Sequence, residues 1–144
     1  MPTENKLTLD NLFKSYGLNQ LNENVISVTL FGSYNTEFWI EGKSDIDILL
    51  LLKYSDFNVE YEVEEYYRPL LVRYFKHEDI HFTFVSLKDF DSVFADIYID
   101  YEDKVIFDMD LHYDFLMYIS KYNRVNERLI NLVRRDWEEK YGVL

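Results

Sequence analysis

The chain has 144 residues, 48% of them hydrophobic and 18% aromatic, with 4 glycines and 2 prolines, a composition that excludes a disordered polypeptide and predicts a packed core. Its 27 acidic and 15 basic residues leave a formal charge of -12, which repels a phosphate backbone and excludes long nucleic acid as an expected partner. With no cysteine, disulfides, zinc–thiolate sites and thiol nucleophiles are excluded as well.

Met1-Pro2-Thr3-Glu4-Asn5 lacks the charged-then-apolar pattern of a signal segment, and no apolar run approaches the ~18 residues of a membrane span. A cytoplasmic protein without membrane contact is expected. No repeat or linker divides the chain, so one domain over 1–144 is expected too. Leu9, Leu12, Phe13 and Tyr16 recur at helical spacing and Gly17 is a ready C-cap, which predicts a short opening helix. Val25 to Phe31, rich in β-branched residues, predicts a strand that runs into Gly32-Ser33. Ile46 to Leu52 predicts a second strand beside it, buried because it is so continuously apolar.

Val59, Val63, Tyr66, Leu70 and Tyr74 predict a helix over 59–75, with Pro69 expected to kink it or to start a second helix. Ile80 to Leu87 alternates as a third strand with two unlike faces. A short helix over 87–97 and a short strand over 104–107 follow. Leu111, Phe115, Ile119, Tyr122, Val125, Leu129, Val133 and Trp137 then mark a long C-terminal helix, open to one break. This order predicts an α+β or mixed α/β fold.

Chemistry concentrates in Phe31-Gly32-Ser33, eleven residues, and Asp45-Ile46-Asp47. Residues i and i+2 of a strand share a face, so Asp45 and Asp47 project together while Ile46 and Ile48 enter the core. Two adjacent carboxylates repel, and a divalent cation between them turns repulsion into attraction; magnesium prefers such oxygens together with substrate phosphates. Gly32 lets a phosphate approach the backbone, and Ser33 offers it a hydroxyl donor.

Leu30-Phe31-Gly32-Ser33 and Ser44-Asp45-Ile46-Asp47-Ile48-Leu49 resemble the signature of the DNA polymerase β-type nucleotidyltransferase superfamily: an apolar residue, Gly-Ser, roughly ten residues, then Asp-x-Asp. The resemblance implies an α+β, polymerase β-like palm with a small mixed sheet flanked by helices. The length looks most like the minimal nucleotidyltransferases, many of them antitoxins that pair with a helical HEPN toxin and modify it with AMP. Where the family commonly carries Arg and Gly after Gly-Ser, this chain has Tyr34-Asn35-Thr36-Glu37, which leaves Lys43 as the candidate nucleotide-binding cation beside Gly32 and Ser33. Where the family places a third carboxylate on a later strand, before Val85-Ser86-Leu87, the register gives His81, with Asp79 as the candidate third metal ligand. His81 is then either the catalytic proton acceptor or a plain strand residue.

Phe38 and Trp39 are candidates to stack on a base or meet a partner, or else to pack over the sheet. Glu62, Glu64 and Glu65 read as a solvated helix face, Asp89, Asp91 and Asp96 as helix N-terminal charge and surface, and Arg124, Arg128, Arg134 and Arg135 as a basic cluster that offsets local acid or meets a partner. The expected function is transfer of a nucleoside monophosphate, AMP from ATP, to a hydroxyl on a partner protein, with Mg2+ held by Asp45 and Asp47 in a two-metal scheme. A HEPN-type toxin or a second copy is the expected partner. The alternatives are a binding module that neutralises a toxin without turnover and a small-molecule, antibiotic-modifying nucleotidyltransferase.

Overall fold

The computed structural model describes residues 7–141; the reading of Met1 to Asn5 and the side chain of Trp137 lie outside the described residues. Helix α1 (Leu9–Tyr16) starts where the Thr8 hydroxyl accepts from the Asn11 N–H and stops at Gly17, whose φ of 76° ends it in the left-handed region. Strands β1 (Val25–Phe31) and β2 (Ile46–Leu52) pair antiparallel, β3 (Ile80–Ser86) adds parallel to β2, and β4 (Lys104–Ile106) adds antiparallel to β1. The sheet order is β3-β2-β1-β4, which puts β2 in the interior.

β2 is apolar on both faces because both are covered. Ile46, Ile48, Leu50 and Leu52 pack with Leu12 of α1 and with Val63, Tyr67 and Leu71 of α2 (Phe57–Phe75), while Leu49 and Leu51 pack with Tyr98 of α3 (Val93–Asp100) and with Phe115 and Ile119 of α4 (Met109–Tyr141). Each such side chain contributes about 1.5–3 kcal/mol when buried on either face, so the register of β2 is set by Asp47 rather than by its apolar run. A slip by one residue would drive Asp47 into the α1/α2 core. A bulge in β1 between Val25 and Ser27 puts both Ile26 and Ser27 on the α3/α4 face, where the Ser27 hydroxyl meets the Tyr98 hydroxyl at 2.9 Å.

Three expectations change. No second helix starts at Pro69: α2 continues through it, because Pro69 and Glu65, whose carbonyl loses its partner, are both exposed, while Tyr67 and Leu71 anchor the buried face. The helix expected over 87–97 is instead a 3-10 turn at Leu87–Asp89 followed by α3. Asp89 accepts from the Ser86 N–H at 2.9 Å, and Ser92 stands at the N-cap of α3 with its hydroxyl donating back to the Asp89 carbonyl. α4 has no break over its 33 residues. Among the described residues no helix is long and apolar enough to cross a membrane.

Candidate functional site

Asp47 extends the α3/α4 face of β2 beyond Leu49 and Leu51, to the end of the sheet where the covering helices give out; its side chain stays 27% exposed. Its cross-strand partner on β1 is Phe31, and the chain then turns at Gly32 with φ 84°. A Cβ on Gly32 would stand 2.2 Å from the Asp47 Oδ2. Glycine is therefore demanded twice, by the left-handed backbone and by the carboxylate above it. On the other side Asp47 pairs in register with His81 of β3, whose Nδ1 lies 3.5 Å from the Asp47 Oδ1. Asp47 thus sits between Gly32 and His81.

Burial raises the Asp47 carboxyl above the usual carboxylate range; the His81 imidazole pulls it back and the Asp45 charge pushes it further up. Asp45 precedes β2 by one residue and is exposed. The Asp79 carbonyl accepts from the Ile46 N–H at 2.9 Å, which fixes the start of β3 against Asp45. Asp45, Asp79 and His81 line a shallow cavity together with Glu78 and Arg68. Among the described residues, no three histidine or acidic side chains converge on one metal-sized point. Two carboxylates suffice for magnesium when phosphate oxygens and water complete its octahedron, so the pair Asp45 and Asp47 fits that ion with a nucleotide bound.

The loop 32–45 is held from beneath. Tyr34 meets Trp39 and Phe75 edge-on at 5.0 and 5.2 Å, Trp39 tilts against His77 at 5.2 Å, and the His77 Nε2 lies 2.9 Å from the Ser44 carbonyl oxygen. Asn35, at φ 67°, donates to the Leu7 carbonyl. The two aromatic candidates separate here: Trp39 packs inward, and Phe38 is 73% exposed. Ser33 is half-buried in the turn, and its carbonyl accepts from the Thr36 hydroxyl at 2.6 Å. Lys43 is exposed in the turn at 41–43.

Arg68 was not singled out from the sequence; it forms a helix-surface pair with Glu64, four residues before it. That pair closes at 2.5 Å, but the other guanidinium nitrogen reaches the Ile80 carbonyl at 2.8 Å and the group lies over the Phe82 ring. The result is a cation lodged beside Asp45 and His81. Glu62 and Glu64 are likewise more than solvated charge, since Glu62 accepts from Asn22. No periodicity flags Tyr34 or His77 as loop anchors; only the fold brings them together.

Residues 16–142 match a family described as nucleotidyltransferase domain. No curated protein matches the chain. The four-stranded mixed sheet with flanking helices agrees with the polymerase β-like architecture expected from the sequence.

Proposed function

The chain belongs to the nucleotidyltransferase domain family, and on that premise we propose that it transfers AMP from ATP to a hydroxyl acceptor carried by a partner protein. The observation that supports this reading most is the position of Asp47 between the Gly32–Ser33 turn on one side and His81 on the other. The turn is the place for the triphosphate, with the Ser33 hydroxyl as donor and Lys43 as a counter-charge. The His81 side, with its cavity, is the place for the acceptor.

Asp45 and Asp47 would hold magnesium, which supplies charge neutralisation on the triphosphate and on the departing pyrophosphate. The chain's own residues do the rest. Asp47 stands between the turn and the acceptor side and would act on the phosphates only through that ion, and His81, 65% exposed and in contact with Asp47, accepts the acceptor's proton. Arg68 holds the first residue of β3 in place through the Ile80 carbonyl. A second reading, a binding module that neutralises a HEPN-type toxin without turnover, is supported by a histidine standing where the resemblance implies a carboxylate.

A radiolabelled-ATP transfer assay with candidate partner proteins separates the two. Weak transfer by the native protein, loss in Asp47→Ala and a gain in His81→Asp support the enzyme. Robust native transfer that His81→Asp lowers makes histidine the native base and removes the idea of a decayed carboxylate position. Absence of label transfer in all three forms favours the binding module.

A further inference from the structure

α4 outruns the body of the protein. Phe115 and Ile119 are buried, and Tyr118 and Tyr122 close on Phe90 at ring separations of 5.9 and 6.0 Å. Beyond Tyr122, Val125, Leu129, Leu132 and Val133 are all more than half exposed. Steps of four, three and one residue put these four on one helical face. Lys121, Arg124, Arg128 and Arg135, spaced by three, four and seven, run along one flank of that face, and none is ion-paired among the described residues. Residues 121–141 carry +2 in a chain of -12, so the remainder carries -14.

An apolar stripe this long on a free helix needs a cover. A second α4 is a poor one: laid antiparallel it sets Arg124, Arg128 and Arg135 against their own counterparts, and laid parallel it offers that flank Asn126, Val133 and Lys140. The cover must be apolar with an acidic border. The chain carries such a surface itself, an open groove between α2 and β3 lined by Phe57, Tyr61 and Phe84 and by Glu60, Glu64 and Glu65. Phe57 is 82% and Tyr61 62% exposed, and among the described residues only Glu64 of the three carboxylates is offset by an arginine, Arg68.

The two surfaces are also placed to meet. Phe84 lies two residues before the end of β3 and Phe90 four residues after it, so α4 leaves the body near the strand end at which the groove opens. Two copies related by a two-fold axis at this end can exchange helices reciprocally, which fills both grooves and closes the assembly. We propose that the protein self-associates in this way, the apolar and basic face of α4 docking into the acid-bordered aromatic groove of a second copy. The proposal is independent of the nucleotidyl-transfer reading.

Sedimentation velocity on the full chain over a concentration series, at low and high salt, is the test. A dimer that weakens with salt is expected. Arg124→Glu with Arg128→Glu, and separately Glu60→Lys with Glu65→Lys, should each weaken it about tenfold or more, and the two sets combined should restore it. Monomers throughout the native series, a dimer indifferent to the groove substitutions, or no restoration in the combined variant would each overturn the proposal. A photo-crosslinker in place of Leu129 checks the contact without any charge change: cross-links to residues 57–65 of the other copy support it, and cross-links to the other α4 contradict it.

Discussion

The Asp47 carboxylate lies so close over Gly32 that a Cβ there would stand 2.2 Å from its Oδ2. The turn and the acid are therefore one unit, joined across the β1–β2 pair rather than by sequence proximity.

Substitution of Gly32 by alanine is expected to cost about 1–2 kcal/mol for the left-handed backbone, at φ 84°, and about 1–3 kcal/mol more for the collision with Asp47. The second part should vanish when Asp47 is also alanine. A double-mutant cycle by urea denaturation isolates it; additive costs would mean that the two residues do not press on each other.

The pH dependence of stability follows from Asp47. Its carboxyl is raised above its unfolded value, chiefly by burial, so its contribution favours the fold below the unfolded pKa of ~3.9 and is lost as pH rises through the folded value. At neutral pH the ionised group is a cost in the metal-free protein. Asp47→Asn is expected to raise the metal-free Tm near neutrality, with the gain shrinking as pH falls towards ~4. Thermal melts across that range check the sign, and a lower Tm for Asp47→Asn at neutral pH would contradict it.

On the α3/α4 face, the Tyr98 hydroxyl bridges Ser27 at 2.9 Å and the His112 Nδ1 at 2.6 Å, and burial pushes its pKa up to about 12. Tyr98→Phe leaves Ser27 and His112 facing an apolar ring. A loss of about 1–3 kcal/mol is expected by chemical denaturation; a neutral substitution would show that water satisfies both groups.

His77→Ala should leave the core intact and loosen the loop 32–45, because His77 meets both Trp39 and the Ser44 carbonyl. Nucleotide affinity is expected to fall several-fold while stability changes by less than about 1 kcal/mol. Limited proteolysis within 34–44 should speed up. Unchanged affinity with faster cleavage would detach the loop from the site.

Much of the frame was legible in the sequence. The limits of β1 and the burial of β2 follow from β-branched and continuously apolar runs, and α1 ends at the glycine that marks it. The expectation that Asp45 and Asp47 share a strand face rested on the strand period of two, and only Asp47 lies in β2; Asp45 precedes the strand by one residue. The continuity of α2 was not, since the cost of Pro69 depends on whether the carbonyl it abandons faces water, which only the fold decides. Ser92 stands at the N-cap where α3 starts after the 3-10 turn, a choice between competing caps that periodicity does not see. Arg68 and His77 reach the site region from α2 and from the loop after it, across distances in sequence that no local pattern spans.

Asp45 and Asp47 are expected to bind a magnesium nucleotide at the Gly32–Ser33 turn. Isothermal titration of ATP into the native protein and into Asp45→Asn/Asp47→Asn, each with and without magnesium, tests it most directly. Binding by the native protein should require magnesium and be lost in the double variant; equal binding in all four titrations would contradict the assignment.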